Sequence, residues 1–239
     1  MKKSNLFRIE LYRFFHSISI MKYVVLIPLI LFFMSYINLV GFESEITGKM
    51  VWASMAPDFL YLLAFICTII AVYIGREFRQ KTIYYEIMSG HTFCKISLSK
   101  TMTCGIIIPV VMIICMIAYL LLFPAALCED FFSRIFCLLL LFLHVCSCTV
   151  LYVILCRNSA IGGTVAFIKF FVIEAVLQLA LNKEGAWIKG LLVFEQWYRL
   201  LNIEKSLSME LLINILASTI TEYGILQGIL LYHSKRSDM

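Results

Sequence analysis

The chain has 239 residues, of which 62% are hydrophobic and 15% charged, with a mean hydropathy of +0.93; soluble domains carry about a quarter charged residues. This composition excludes an ordinary soluble domain, and almost no stretch outside the apolar runs is large enough for a core of its own, so a single all-α, polytopic membrane domain over residues 1–239 is expected. The net charge of +5 is distributed as a membrane-topology signal, not as a basic surface patch, and gives no support to a nucleic-acid partner.

At the start, "NLFRIELYRFFHSIS" places Phe7, Leu11, Phe14, Phe15 and Ile18 on one arc of a helix, with Glu10, Arg13, His16 and Ser17 largely opposite. Residues 1–20 are therefore expected to form an elbow helix lying in the interface, its basic residues toward anionic lipid headgroups. The plainer alternative is a mere extension of the first span. Lys2, Lys3 and Arg8 before an apolar run mimic a signal peptide, but the run is long, aromatic-rich and lacks a small-residue cleavage pattern, so it reads as retained.

A bilayer core of roughly 30 Å needs about 20 apolar residues in a helix. Six segments qualify: Tyr23 to Val40, Phe59 to Gly75, Met102 to Phe123, Ile135 to Cys156, Ile161 to Leu181 and Leu211 to Tyr232. With both termini cytoplasmic, the inner segments hold thirteen Lys and Arg and the outer ones six, which satisfies the positive-inside rule and implies a multi-pass protein of the cell membrane.

Between the spans, the outer segment Gly41 to Asp58 carries Glu43, Glu45 and Asp58, with Trp52 suited to the interface. Its "GFESEITGK" is no phosphate loop, because six residues separate the glycines and no Ser or Thr follows the lysine. "PAALCED" is a short outer turn with Pro124 at a helix end, and "RNSA" joins spans four and five so tightly that they must be antiparallel neighbours. Residues 182–210, with Trp187, Trp197 and Tyr198, predict short amphipathic helices lying in the outer interface or dipping part way in. Pro28 and Pro109 fall inside spans, where a kink can absorb the lost hydrogen bond. Gly224 and Gly228 form a G-x-x-x-G suited to close helix packing, and Gly162 and Gly163 offer the same.

Of nine cysteines, all but Cys128 lie in spans or on the cytoplasmic side, so they read as small apolar residues and not as a disulfide framework. His144, Cys146 and Cys148 make an H-x-C-x-C in span four, but a metal site needs further ligands and outer support, and none is assigned. Lys169, Glu174 and Glu222 are ionisable residues within spans, costly there and hence candidate site residues. Lys169 and Glu222 lie at similar depth, about 12 and 15 Å from the inner ends of their spans, and are expected to pair between spans five and six. Lys169 and Glu174, five apart, should point about 140° from one another on an α-helix.

The cytoplasmic stretch "GREFRQKTIYYEIMSGHTFCKISLSK" runs from Gly75 to Lys100. Ile83, Tyr84, Ile87 and Met88 recur at helical spacing, Ser89-Gly90 breaks the helix, and Thr92 caps the next one. These apolar side chains want a surface to bury against, either the membrane interface or a soluble partner.

The same stretch resembles the type-2 class of ABC transporter permeases, in which a span ends in Gly-x-Glu-Phe, continues to Thr-Ile, and reaches Ser-Gly and Ser-Lys before the next span. It is similar to the small bacterial permeases linked to bacitracin resistance and lantibiotic self-protection. The resemblance extends to the elbow helix, the six spans, the tight fourth-to-fifth turn and the structured outer segment. It implies that residues 76–100 form a coupling segment, begun by Gly75, Glu77 and Phe78, continued by Thr82, Ile83, Tyr84 and Ile87, and completed by Ser89, Gly90, Ser99 and Lys100. Where such permeases often carry Arg, this chain has Phe93 and Cys94, with His91 and Lys95 nearby. The partners implied are a cytoplasmic ABC ATPase, in two copies, and a second permease chain, identical or a sibling, alongside membrane lipid. The chain matches no Walker A pattern, so ATP and magnesium are expected on the ATPase and no cofactor in this chain. The implied role is export of an antimicrobial peptide or hydrophobic compound in a bacterial membrane. The competing readings are a membrane-embedded enzyme, for which H-E-x-x-H is absent, and an ion-coupled secondary transporter using Lys169, Glu174 and Glu222 as relay groups.

Overall fold

In hydrocarbon every backbone N–H and C=O must be satisfied within the chain, which makes the helix the natural form for runs this apolar. A computed structural model describes residues 6–42, 46–181, 186–202 and 207–237. Among these residues it is all-helical, and six helices are long and apolar enough to cross a membrane: Ile20–Gly41, Leu60–Arg79, Phe93–Leu121, Phe131–Cys156, Ser159–Ala180 and Met209–His233. Lys2, Lys3, Glu43, Glu45, Lys183 and Lys205 lie outside the described residues.

In chain order, α1 (Leu6–His16) precedes α2 (Ile18–Phe42), the first span; α3 (Gly48–Ser54) precedes α4 (Asp58–Arg79); α5 (Thr82–Met88) joins α4 to α6 (Phe93–Leu121). A 3-10 turn (Pro124–Ala126) leads to α7 (Phe131–Cys156). The fifth span comprises α8 (Ser159–Phe167), a π-helical stretch (Ile168–Ile173) and α9 (Glu174–Ala180). Helices α10 (Ala186–Lys189) and α11 (Val193–Leu201) precede the last span, α12 (Met209–Ser237). Since the spans alternate in direction, α1, α5 and the α7–α8 turn share one end of the bundle, and α3, the 3-10 turn, α10 and α11 share the other. Spans two, three and four are mostly buried, whereas spans one, five and six turn most of their side chains outward.

Helix ends do not follow the hydropathy boundaries. Helix α4 runs on through Gly75, Glu77 and Phe78, and α6 starts at Phe93, so Lys100 sits two turns inside a helix. The breaks fall at Lys81 and Gly90, which adopt left-handed backbone with φ of 57° and 89°. The expected 76–100 segment therefore contracts to α5 and two tight turns. Hydropathy reports depth in the bilayer, while helix ends are set by backbone geometry.

Glycine decides where helices touch. A Cβ on Gly75 would stand 2.0 Å from the Ser159 Cβ, one on Gly162 would stand 2.5 Å from the Val153 Cα, and one on Gly163 would meet the Ala71 Cβ at 2.7 Å. These contacts clamp α4, α7 and α8 together. The α7–α8 turn is closed by Arg157 at φ 49° and by the Asn158 side chain, which accepts from the Ala160 and Ile161 amides at 2.9 and 3.2 Å. The G-x-x-x-G of α12 behaves otherwise: nothing lies within 4 Å of a Cβ at Gly224 or Gly228, so no helix among the described residues packs closely against that motif.

Trp52 also departs from expectation. It is fully buried instead of interfacial, with Nε1 donating to the Ala126 carbonyl at 2.9 Å, because α3 folds back onto the 3-10 turn. At that end Ser35 Oγ donates to Asp58 Oδ2 at 2.6 Å, tying α2 to α4.

The glycine contacts are tested by substitution. Gly162→Ala forces the Val153 backbone to move and is expected to destabilise the bundle by about 1–3 kcal/mol, seen as a lower melting temperature in detergent. Gly224→Ala and Gly228→Ala should leave the monomer's melting temperature unchanged or slightly raised.

Candidate functional site

Two clusters of charge, one buried and one partly buried, organise the molecule. At the α5 end, Lys100 of α6 has no solvent exposure. Its ammonium donates to Glu10 Oε1 at 2.9 Å, contacts Glu77 Oε2 directly, and lies 4.0 Å from Glu86 Oε2. Glu10 is itself fully buried and also accepts from Tyr73 Oη at 3.3 Å and Arg13 Nη1 at 3.2 Å. Arg13 reaches on to Glu86 of α5. Burial opposes the charge on Arg13, and Glu86 and Glu10 outweigh it, raising the pKa of the guanidinium further. Four helices (α1, α4, α5 and α6) are thus pinned by three carboxylates and two cations.

This arrangement corrects the expected faces of α1. Its buried residues are Glu10 and Phe14, while Phe7 and Phe15, from the apolar arc, are exposed. The helix turns to the bundle the one acid it owns, because Lys100 is there to meet it, and Phe14 packs edge-on against Tyr73 at 5.1 Å.

The coupling residues divide into three sets by burial. Gly75, Glu77, Ile83 and Lys100 are buried, and in this arrangement they are not surface contacts. Phe78 and Thr82 are half-buried. Tyr84, Tyr85, Ile87, Met88 and Gly90 are exposed, with Met88 at 81%. Helix α5 therefore locks Ile83 and Glu86 into the bundle and presents two tyrosines, an isoleucine and a methionine outward.

The second cluster lies between spans four, five and six. Lys169 contacts Glu222 Oε2 and donates to Glu174 Oε1 at 2.9 Å. Glu222 also meets His144 Nε2 at 3.1 Å and accepts from Tyr152 Oη at 3.2 Å. The expected 140° separation of Lys169 and Glu174 does not hold. Residues Ile168–Ile173 form a π-helix, whose i to i+5 period brings residues five apart onto one face.

Glu174 spends its other oxygen on α11, accepting from the Val193 and Phe194 amides at 2.7 and 3.4 Å. At the other end of α11, buried Arg134 of α7 donates from Nη1 to the carbonyls of Leu200 at 2.8 Å and Asn202 at 3.2 Å. An anion at the N-terminus and a cation at the C-terminus both suit the helix dipole. Helix α11 is further sealed by buried Val193, Gln196, Trp197 and Leu200, so it belongs to the bundle.

His144, Cys148 and Glu222 bring potential ligand atoms within 4.8 Å of one another. The chemistry does not suit a cation. Lys169 already occupies the Glu222 oxygen that faces His144, and His144 Nδ1 is buried without the acceptor that orients a metal-bound imidazole. The group works as a hydrogen-bonded node of the Lys169 cluster.

Glu10, Arg13, Glu86, Arg134 and Tyr152 were not singled out as site residues from sequence. Glu10 alone carried a signal: it is an isolated acid in a basic, aromatic helix, four residues before Phe14. Arg134 and Tyr152 have no local pattern to betray them. Comparison with family models, with curated proteins and with solved structures finds no match.

The two clusters yield two predictions. Lys100→Met strands buried carboxylates and is expected to cost about 3–5 kcal/mol, measured as detergent melting temperature, with partial recovery in Lys100→Met/Glu10→Gln/Glu77→Gln. Exchanging Lys169 and Glu222 should fail to restore a single-site loss, because residue 169 would then oppose Glu174; adding Glu174→Gln should restore it. Rescue by the exchange alone would remove Glu174 from the cluster.

Proposed function

We propose that this chain is the membrane-spanning subunit of an ABC exporter of the type-2 class, driven by ATP hydrolysis on a separate cytoplasmic ATPase. The supporting observation is α5, a short helix at the end of spans two and three, with exposed Tyr84, Tyr85, Ile87 and Met88 on one side and Glu86 held by Arg13 near Lys100 on the other. An apolar and aromatic face of this kind is what a docking groove takes up. A push on α5 would pass through Glu86 and Lys100 into α1, α4 and α6 together, since a packed, ion-paired cluster moves as a body.

In this reading the α1 and α5 end is cytoplasmic, the assembly contains two permease chains and two ATPases, and the chain has no chemistry of its own. ATP and magnesium belong to the ATPase. Nucleotide can set direction only by binding one conformation of the pair more tightly. The substrate class follows the resemblance: an amphipathic antimicrobial peptide or another hydrophobic compound, in a bacterial cell membrane.

A second reading has its own observation. Lys169, Glu174, Glu222 and His144 form a connected set of ionisable groups within spans, as an ion-coupled transporter requires. It predicts substrate movement that collapses with the proton or sodium gradient and needs no ATPase.

The test is co-purification with the ATPase encoded beside this chain. Tyr85→Asp and Met88→Asp are expected to weaken the association about tenfold or more, as burying a charge in an apolar interface does. Glu86→Gln should leave association intact while lowering transport-linked ATP turnover. Cross-links from Tyr84 and Ile87 that capture only lipid, with no soluble subunit, would overturn the proposal.

A further inference from the structure

Arg76, near the end of α4, stands apart from the cations of the ion cluster. It is exposed, and no hydrogen bond or ion pair to it is found among the described residues, whereas Arg13 is committed to Glu10 and Glu86. Arg76 lines a cavity of 330 Å³ between α1 and the end of α4, a volume within the range of ligand sites. On the α1 side the cavity meets His16, whose Nδ1–H donates to the Tyr12 carbonyl at 2.9 Å. Ser17 also lines it, and its Oγ is buried without a hydrogen-bond partner.

Another part of the lining has the opposite sign. Glu77 lines the cavity beside Arg13 and belongs to the cluster in which, among the described residues, Glu10, Glu77 and Glu86 are ion-paired with Arg13 and Lys100, with Glu86 Oε2 lacking a hydrogen bond. An exposed cation at Arg76 and the acidic side chain of Glu77, from a cluster of three acids and two bases among the described residues, therefore border one space. A bare anion would gain from the first and be repelled by the second. A ligand carrying both a phosphate and a hydrogen-bonding ammonium answers both.

The cavity opens where span two ends, beside Tyr12, an exposed aromatic at the level where interfacial side chains meet headgroups. We propose that it binds the phosphoethanolamine headgroup of a membrane lipid: the phosphodiester against Arg76 and Ser17 Oγ, and the primary ammonium toward Glu77. Bound there, the headgroup would brace α1 against α4 and complete the charge balance of the cluster. The inference depends on the membrane placement of the spans and not on the transporter reading.

The full chain, purified in detergent, is titrated with phosphatidylethanolamine, phosphatidylglycerol and phosphatidylcholine of identical acyl chains, and with soluble phosphoethanolamine. Retained ligand is read by native mass spectrometry, and stability by thermal unfolding. Phosphatidylethanolamine is expected to bind at least tenfold tighter than the other two lipids. Arg76→Gln should reduce that binding about tenfold, the loss of one charge-assisted contact. Arg76→Lys, which keeps the charge, should retain a preference, and Arg79→Gln, at an exposed arginine outside the cavity lining, should bind as the unmodified chain does. Equal binding of phosphatidylglycerol or phosphatidylcholine, or an Arg76→Gln variant indistinguishable from the parent, would overturn the proposal. Soluble phosphoethanolamine matching the lipid at the same concentration would overturn the lipid as its source. Should Arg76→Gln melt early without lipid, the three-lipid comparison on the unmodified chain decides alone.

Discussion

An ammonium removed from water at the edge of a bilayer must be matched by carboxylates or it will not stay charged, and this constraint governs one end of the molecule. Lys100 is sealed within α6, so Glu10, Glu77 and Glu86 have to come to it, and each arrives on a different helix. The position of α1 against the bundle and the attachment of α5 follow from that demand. Buried ion pairs are poor sources of net stability compared with apolar packing, but breaking one is costly. Such a cluster acts less as glue than as a specification of which helices meet and in what register.

The opposite end is organised by the same physics with a different geometry. Helix α11 is short enough that its unsatisfied terminal amides and carbonyls are a large share of its backbone, and it sits against apolar spans where water is scarce. Glu174 and Arg134 supply the missing partners. The π-helical stretch is what makes this possible, since it lets Glu174 serve both Lys169 and α11. A regular α-helix would have turned it away from Lys169. Span five thereby links α11 to Glu222 of span six and His144 of span four through a single connected set of hydrogen bonds.

Between the two clusters the bundle is held by close helix contact and ordinary packing. Small residues at Gly75, Gly162 and Gly163 allow α4, α7 and α8 to approach closely, and the aromatic and aliphatic side chains of spans two to four fill the rest. Spans one, five and six cover this core thinly and face outward. The G-x-x-x-G of α12 is open in this chain.

The six spans, their alternating direction and the tight turn after Arg157 were legible from the residues, because transfer from water to hydrocarbon depends on composition over some twenty positions and little on context. The pairing of Lys169 with Glu222 was legible for a related reason: two charges at equal depth in a low-dielectric slab have few alternatives. What folding alone decided was everything that depends on rotation about a helix axis and on contacts distant in the chain. Glu10 faces inward and Phe15 outward because of a lysine ninety residues away. Glu77 and Lys100 are internal struts, not surface contacts, because α4 and α6 run past the hydropathy boundary as continuous helix. Hydrophobic pattern measures how deep a residue lies, whereas its azimuth is set by the partner that its charge or shape requires, and that partner is named only when the chain has folded.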